Sequence, residues 1–473
     1  MMRQAIKGMS LRLLPFSDAA SDALPIGQLL RLSLFQISVG MAAVMLLGTL
    51  NRVMIVELSV PAIVVATMIA IPVLVAPFRA ILGFRSDTYR SAIGWKRIPY
   101  LWFGSLWLFG GLAIMPMALI VLSGDHATGP AWAGEVGAAL AFLLTGLGMH
   151  MTQTAGLALA ADRATDETRP RVVALLYVMF LIGMGVSALI IGGLLRDFSQ
   201  LRLIQVVQGA AVVVIILNVV ALWKQERLAP MSREEREAPR PDFRETWASF
   251  AAGDTVRLLV VIFLGTMAFN MQDVLLEPYG GEILGLSVSA TTLLTAAWAA
   301  GALAGFGFAA RRLALGRDPH RLSAGGLLIG LVAFSAVIFA APLSAPVLFF
   351  AGATGIGLGG GLFAVATLTA AMALPVRGHA GRGLALGAWG AAQATAAGLS
   401  IFLGGAIRDG VTALTSNGAL GETLATPATG YSAVYHLELL LLFITLIALG
   451  PLVRHRVPEA QADRPFGLAD FPT

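Results

Sequence analysis

Three side chains capable of ligand chemistry fall on one helix face in the stretch GLGMHMTQTAGLALAADRATDETRPR, residues 146–171. His150, Gln153 and Thr154 stand at i, i+3 and i+4, which makes them neighbours on a helix. Neutral imidazole is a good metal ligand. No second histidine stands at a chelating spacing, so a bare metal site is not indicated; His150 can act only as an axial ligand to a metal otherwise held, or as a histidine hydrogen-bonded between helices. A second polar group occurs in FNMQDVLLEPYGG, where Asn270, Asp273 and Glu277 follow at i, i+3 and i+7, with Gln272 between them. A third is charged: Asp87 and Arg90 in one turn, and Asp162, Arg163 and Arg171 in another.

All three groups are bounded by apolar sequence. Of the 473 residues, 57% are hydrophobic and 12% charged. Soluble domains carry about 25% charged residues, so the chain is expected in a membrane. There is no cysteine, which excludes disulfides, thiol catalysis and Cys-based metal sites. The small basic excess follows membrane topology and is no sign of a nucleic-acid partner; lipid is the expected surround.

A membrane crossing takes about 20 apolar residues. Twelve such runs are predicted, near 29–55, 61–83, 98–122, 131–161, 172–195, 203–225, 256–277, 289–310, 322–342, 345–374, 383–405 and 431–453. Lys and Arg gather in alternate connections (Arg85–Arg97, Arg163–Arg171, Lys224–Arg257, Arg311–Arg321, Arg377–Arg382), and the others hold Arg196, Arg202 and Arg408. The basic side is expected to be cytoplasmic, with both termini on it. The organisation is therefore a cytoplasmic tail 1–28, a six-helix half 29–225, a linker 226–255, a second half 256–453 and a tail 454–473. The first 28 residues lack a clean apolar core and make a poor cleavable signal. The mixed charge of the linker reads as a solvated connection or, as the alternative, a contact surface.

The halves repeat. ELSVPA at 57–62 recurs as GLSVSA at 285–290, each opening the second helix of a half, and Arg163–Arg171 is mirrored by Arg377–Arg382. Two six-helix halves predict an all-α membrane protein of the major facilitator type. In that fold the first, fourth, seventh and tenth helices line a central cavity. Those are the helices that carry Gln36, Asn51 and Arg52; His150; the Asn270–Glu277 cluster; and the glycines Gly359–Gly361. The glycine run offers either close helix packing or a flat strip for a planar ligand.

Three placements raise pairing questions. Arg52 lies near the outer end of its run, and an arginine inside an apolar span needs a carboxylate or the headgroups. It is expected to close the cavity by pairing with Asp273 or Glu277, or else to pair locally with Glu57. Asp162 follows a helix C-terminus, the wrong end of the dipole for an anion. It is expected to be held by Arg163, Arg169 or Arg171, or by the Arg85–Arg97 loop. His436 and Glu438 are expected at the outer interface.

Four long stretches then carry a resemblance: RLSLFQISVGMAAVMLLGTLNRVMIVEL (31–58), PFRAILGFRSDTYRSAIGWKRIPY (77–100), QTAGLALAADRATDETRPRVVALLYVM (153–179) and FNMQDVLLEPYGGEILGLSV (269–288). With these the chain resembles the PucC/LhaA family, the bacteriochlorophyll-delivery branch of the major facilitator superfamily, and within it the LhaA side. The resemblance implies an assembly factor for light-harvesting complexes of purple bacteria, in the cytoplasmic or intracytoplasmic photosynthetic membrane. It implies bacteriochlorophyll as the bound molecule, with carotenoid or quinone as further candidates. Antenna polypeptides are the implied partners, and bacteriochlorophyll synthase and the membrane insertion machinery are possible ones. On that reading His150, Gln153, Thr154, Asn270 and Gln272 are pigment-binding candidates, with His150 an axial ligand of chlorophyll magnesium. The residues by themselves leave a second class open, a proton-coupled carrier of a small organic solute using Asp273, Glu277 or His150. No nucleophile elbow, phosphate loop or zinc motif points to an enzyme.

Overall fold

The computed structural model describes residues 19–454, apart from 22–23, 51–52, 55–57, 59, 61, 92, 125–131, 196–198, 227–231, 238–240, 287, 375–380, 418–420, 422–423, 425 and 427. The described residues form helices and connections, with no strand among them. In hydrocarbon every backbone N–H and C=O must be bonded within its own segment, and the helix does that.

Twelve long helices carry the fold. They are α1 (Ile26–Val44), α2 (Ala62–Val75), α3 (Ile98–Leu122), α4 (Trp132–Arg163), α5 (Arg169–Leu194), α6 (Gln200–Leu222), α7 (Asp254–Asn270), α8 (Val288–Ala314), α9 (Pro319–Ala340), α10 (Pro346–Met372), α11 (Arg382–Ser416) and α12 (Ala428–Arg454). A 3-10 turn at Ala76–Phe78 joins α2 to a short helix, Arg79–Asp87, and the three make one span. Eleven spans among the described residues are long and apolar enough to cross a membrane, against the twelve predicted. The remaining predicted run falls on α8, 27 residues long and ending on Arg311 and Arg312, which is not among the eleven.

Helix starts follow local chemistry. Ser199 caps α6 by accepting from the Arg202 N–H at 3.1 Å, and Asp318 caps α9 by accepting from His320 at 2.7 Å. The repeated segments do open the second helix of each half, at Ala62 and at Val288.

Three departures from the predicted spans have physical causes. The seventh run is not one helix: α7 ends at Asn270, a 3-10 turn takes Met271–Val274, and a new helix runs Leu276–Glu282. Pro278 lacks an N–H and its ring would crowd the carbonyl four residues back, which favours a helix that restarts at Leu276 with the proline in its first turn. The predicted i, i+7 relation of Asn270 and Glu277 is therefore lost. Second, α11 runs eleven residues past its predicted end at 405. It can do so because Arg408 is paired with Glu282 at 2.9 Å and with Asp409 at 2.8 Å, and bonds the Tyr431 hydroxyl at 2.8 Å. Third, α1 gives way to a π-helical turn at Met45–Thr49, well short of the predicted 55.

The glycine spacings serve close packing within the chain. A Cβ on Gly301 would lie 2.1 Å from the Thr354 carbonyl, and one on Gly357 2.1 Å from that of Trp298, so α8 and α10 touch backbone to backbone. Gly359 and Gly361 are likewise against α9 and α8, while Gly360, beside Phe269, and the edge of Gly361 also line a cavity. The glycine run therefore serves close helix packing on one side and borders a cavity on the other.

The tightest contact joins the halves. A Cβ on Gly83 would lie 1.8 Å from the carbonyl of Gly383, and one on Gly387 2.1 Å from that of Arg79. Gly83→Ala should therefore separate the two helices and lower the melting temperature in detergent, by the equivalent of about 1–3 kcal/mol of overpacking. Gly185→Ala, where nothing lies within 4 Å of a new Cβ, is the control and should be neutral or slightly stabilising. Equal melting of the two variants would refute the packing account.

Candidate functional site

Two arrangements of polar groups stand out: a charged lock at the basic end of the bundle and a pair of cavities at mid-depth. The lock starts from the N-terminus of α11, whose first N–H groups have no partner inside the helix. Asp87, from the other half, accepts from the Gly383 N–H at 2.8 Å and the Leu384 N–H at 2.7 Å. A carboxylate there is favoured by the helix dipole as well. Arg97 pairs with Asp87, donates to Ser86 at 2.6 Å and bonds Asp162 at 3.0 Å. Burial disfavours the Arg97 charge, but the two carboxylates outweigh that and raise its pKa above the ordinary arginine value. Arg382 completes the set, donating to the Ala161 carbonyl at 3.0 Å and lying 3.6 Å from Asp162.

Asp162 is thus held, as its position demanded, by the Arg85–Arg97 loop and by Arg382 of the opposite half. Arg169 pairs with Asp166 at 2.6 Å instead. Arg163 reaches Gln28 at 2.6 Å and Gln225 at 2.7 Å, which ties the ends of α1, α4 and α6 together. Arg90, in its loop, and Arg171, in the first turn of α5, are half-buried.

The segment after α6 belongs to this closure. Glu226 accepts from the N–H groups of Lys96, Arg97 and Ile98 at 3.0–3.2 Å and so caps α3. A short helix, Phe243–Phe250, is capped by Asp242 and lays its aromatics on both halves. Phe243 stacks edge-on against Phe84 at 5.4 Å, and Phe250 packs in a cluster with Leu384, Ala385 and Ala388. The reading of 226–255 as a merely solvated connection is corrected: aromatic spacing on an eight-residue helix gives it a buried face.

At mid-depth a cavity of about 240 Å³ is lined by α1, α2, α4, α5, α10 and α11. His150 and Gln153 face it. His150 is 5% exposed, and its Nε2 lies 2.9 Å from the Pro72 carbonyl. A carbonyl only accepts, so Nε2 carries the hydrogen and Nδ1 keeps the lone pair of the neutral ring. Nδ1 has no hydrogen-bond partner. Thr154 bonds Arg79, accepting from Nε at 3.0 Å.

Arg79 was not singled out in the sequence. It is 1% exposed, and Thr154 is its one hydrogen-bond partner among the described residues; Nη2 has none, and no carboxylate is paired with it. Breaking a buried pair to leave such a charge costs about 3–5 kcal/mol. Tyr177, Trp389 and Gln36 line the same space, each with an unpartnered polar atom.

A second cavity, about 210 Å³, adjoins the first across Tyr177, Phe180, Trp389 and Gln393. Asn270 and Asp273 open onto it, and Asn270 donates to the Asp273 carboxylate at 3.3 Å. Gln272 also donates to Asp273, and it is buried. So His150 and Gln153 lie in one compartment and Asn270 and Asp273 in the next. The expected lining by the first, fourth, seventh and tenth helices is only part of it: α2, α5, α8 and α11 contribute as much. The expected Arg52 gate lies outside the described residues, as do Arg52, Asn51 and the Glu277 side chain. Glu438, expected at the interface, is fully buried beside Asp273 and Gln272, and neither of its oxygens has a hydrogen-bond partner. Its neighbour in sequence, His436, is exposed and bonds Ser432.

A third space lies on the outside of the bundle, between α1, α5 and α6. It measures about 710 Å³ and is walled by Ile182, Val186, Ile190 and Val213, all exposed to the bilayer. Ser187, Arg202 and Gln205 are its polar groups.

Two halves of six long helices, a polar centre and a charged lock at one end define a multi-pass membrane protein of the major facilitator type. The chain is similar in fold to a proton:xylose symporter of that superfamily, with a TM-score of 0.62, 14% identity, and coverage of 90% of this chain and 95% of the other. Residues 49–457 match the family described as PUCC protein, and the chain belongs to that family. It is 65% identical to an uncharacterized protein of the puhA-bchM intergenic region of Rhodobacter capsulatus, over 100% of this chain and 99% of the other. It is 54% identical to Protein PucC of Rhodovulum sulfidophilum, over 85% and 89%.

The lock makes a quantitative prediction. In a double-mutant cycle on detergent melting, Arg97→Gln and Asp87→Asn should couple by about 0.5–3 kcal/mol. Arg382→Gln and Asp162→Asn, longer and more exposed, should couple by less than about 1 kcal/mol. Additive losses in the first cycle would show that the two side chains do not meet.

Proposed function

We propose that the protein is an assembly factor for bacterial light-harvesting antenna complexes that carries bacteriochlorophyll to antenna polypeptides, on the core-antenna side. Membership of the PucC family over residues 49–457 is the observation that carries this reading. The positive-inside rule sets the basic end, with both termini, in the cytoplasm. The membrane is then the inner or intracytoplasmic photosynthetic membrane. The family and fold point to a carrier or scaffold and away from an enzyme.

Size decides which space suits the cargo. Ordinary ligand pockets hold about 300–1,000 Å³. The cavities at His150 and Asn270 fall below that, at about 240 and 210 Å³, and a tetrapyrrole with its isoprenoid tail needs more. The bilayer-facing groove of α1, α5 and α6, at about 710 Å³, falls within the range. A pigment dissolved in the membrane reaches the groove without crossing the bundle, and an antenna helix can approach from the same side. A carotenoid or quinone suits the same long apolar walls. His150 keeps the right lone pair for magnesium on Nδ1, but ring binding there requires the two central cavities to merge. Bacteriochlorophyll synthase and the insertion machinery are further partners on this reading; the Phe243–Phe250 helix and the basic turns are the surface they meet.

The second reading is a proton-coupled carrier of a small organic solute. Asp273 at the second central cavity, with the buried Glu438 beside it, favours it.

Colour separates the two. Protein purified in mild detergent from a pigment-making host should carry near-stoichiometric bacteriochlorophyll in its absorption spectrum; a colourless preparation favours the carrier. Gly209→Trp should remove the pigment and leave folded yield intact, because nothing lies within 4 Å of a Cβ at that groove position. His150→Leu should keep its pigment. The reverse pattern, with pigment lost in His150→Leu, partly restored in His150→Gln and kept in Gly209→Trp, would return the site to His150.

A further inference from the structure

We infer that the cavity around Arg79 is a binding site for a small amphipathic carboxylate. This rests on the geometry of that cavity and not on where a pigment sits. The Arg79 guanidinium is 1% exposed, bonded to Thr154 through Nε at 3.0 Å, and without a partner at Nη2. The Tyr177 hydroxyl and the Trp389 indole N–H line the same space, also unpartnered. Buried polar groups are normally bonded, and three donors without acceptors around one cavity define what it takes. A carboxylate has two oxygens with about four acceptor sites and matches the guanidinium fork. A cation would be repelled by Arg79, and a neutral apolar molecule would leave every donor unsatisfied.

The other walls set size and shape. Val39, Leu46, Leu157 and Ile401 are apolar, so the body of the ligand is apolar too. A volume of about 240 Å³ keeps it short. Two acceptors, Gln36 Oε1 and His150 Nδ1, are also unpartnered and suit a hydroxyl on that body. The chain is cut to fit the cation. A Cβ on Gly390 would lie 2.3 Å from the guanidinium carbon, so only glycine lets α11 lie over Arg79. Residues 79–87 form one helix, which sets Arg79 about 12 Å inward from the Asp87 lock at 1.5 Å rise per residue. The ligand is thereby shut off from the basic end.

The test is thermal melting of the full chain in mild detergent, produced in a host that makes no bacteriochlorophyll, so that its outcome is separate from the pigment question. Sodium hexanoate, hexan-1-ol, hexylammonium chloride and sodium chloride are compared at matched ionic strength. Hexanoate should raise the melting temperature saturably, and the other three should not. Arg79→Gln should abolish the hexanoate shift while melting, ligand-free, at or above the wild-type temperature, since an unpaired buried charge has been removed. Thr154→Val keeps the charge and should weaken hexanoate about 3- to 10-fold through loss of one positioning hydrogen bond. Should Arg79→Gln not fold, Trp389→Phe serves, with a weakened hexanoate response expected. The inference is overturned by the absence of a saturable hexanoate shift, by an equal shift with hexanol, or by an equal shift with chloride, which would make the site one for inorganic anions. It is overturned as well by a full response in Arg79→Gln or, in its place, in Trp389→Phe.

Discussion

The two halves of this protein are held by a carboxylate set at a helix N-terminus. Asp87 bonds two backbone N–H groups at the start of α11, and Arg97 neutralises it from the side. Each element needs the others. The first N–H groups of a helix are short of acceptors, a buried carboxylate is costly without donors, and a buried guanidinium is costly without an anion. Glycines at 83, 383 and 387 permit the approach, because any side chain there would drive the backbones apart. The closure of the basic end, the seat of the Phe243–Phe250 helix and the depth at which Arg79 is buried all depend on that contact.

Much of the architecture was legible because hydrocarbon leaves few options. Long apolar runs must be helices, and alternate basic connections fix which ends lie together. The runs at 98–122, 131–161 and 172–195 became α3, α4 and α5 with shifts of a few residues. The charged turns were legible as a cluster for the same reason: Asp162 sits where an anion is unfavourable, which signals a cationic partner. Arg382 as one of those partners was not legible, since 220 residues separate the two and only the packing of the halves brings them to 3.6 Å.

The site was less legible, and the reasons are particular. Helical spacing of Asn270, Asp273 and Glu277 assumed an unbroken helix, and Pro278 breaks it. Polar side chains on the expected lining helices were noticed, whereas Arg79, inside the predicted run 61–83, was passed over. It is in fact eight residues further in than Asp87 and fully enclosed. The signal that would have found it is an arginine directly after Pro77 and Phe78, still inside an apolar stretch, with no acid within one helical turn. Glu438 was misplaced for a related reason. Proximity to a predicted helix start suggested the interface, but α12 begins at Ala428, ten residues earlier, which carries Glu438 into the bundle.

Ionisable groups of opposite kind are thus buried in opposite halves: Arg79 in the first and Glu438 in the second, with Asp273 opening onto the second cavity. A fold selected for stability alone would pair them or replace them with apolar residues, since isolated buried charge opposes folding and well-packed apolar substitutes are often at least as stable. Here Tyr177, Phe180, Trp389 and Gln393 stand between the two compartments and keep them apart. Polar groups retained at membrane depth without a structural partner are characteristic of sites that meet a ligand or a proton. The lock at the basic end and the polar compartments at the centre therefore do different work. The first is fully bonded and holds the halves in register. The second is left incompletely bonded on both sides of an aromatic wall, and it is there that a change in the packing of the halves would alter what each charge sees.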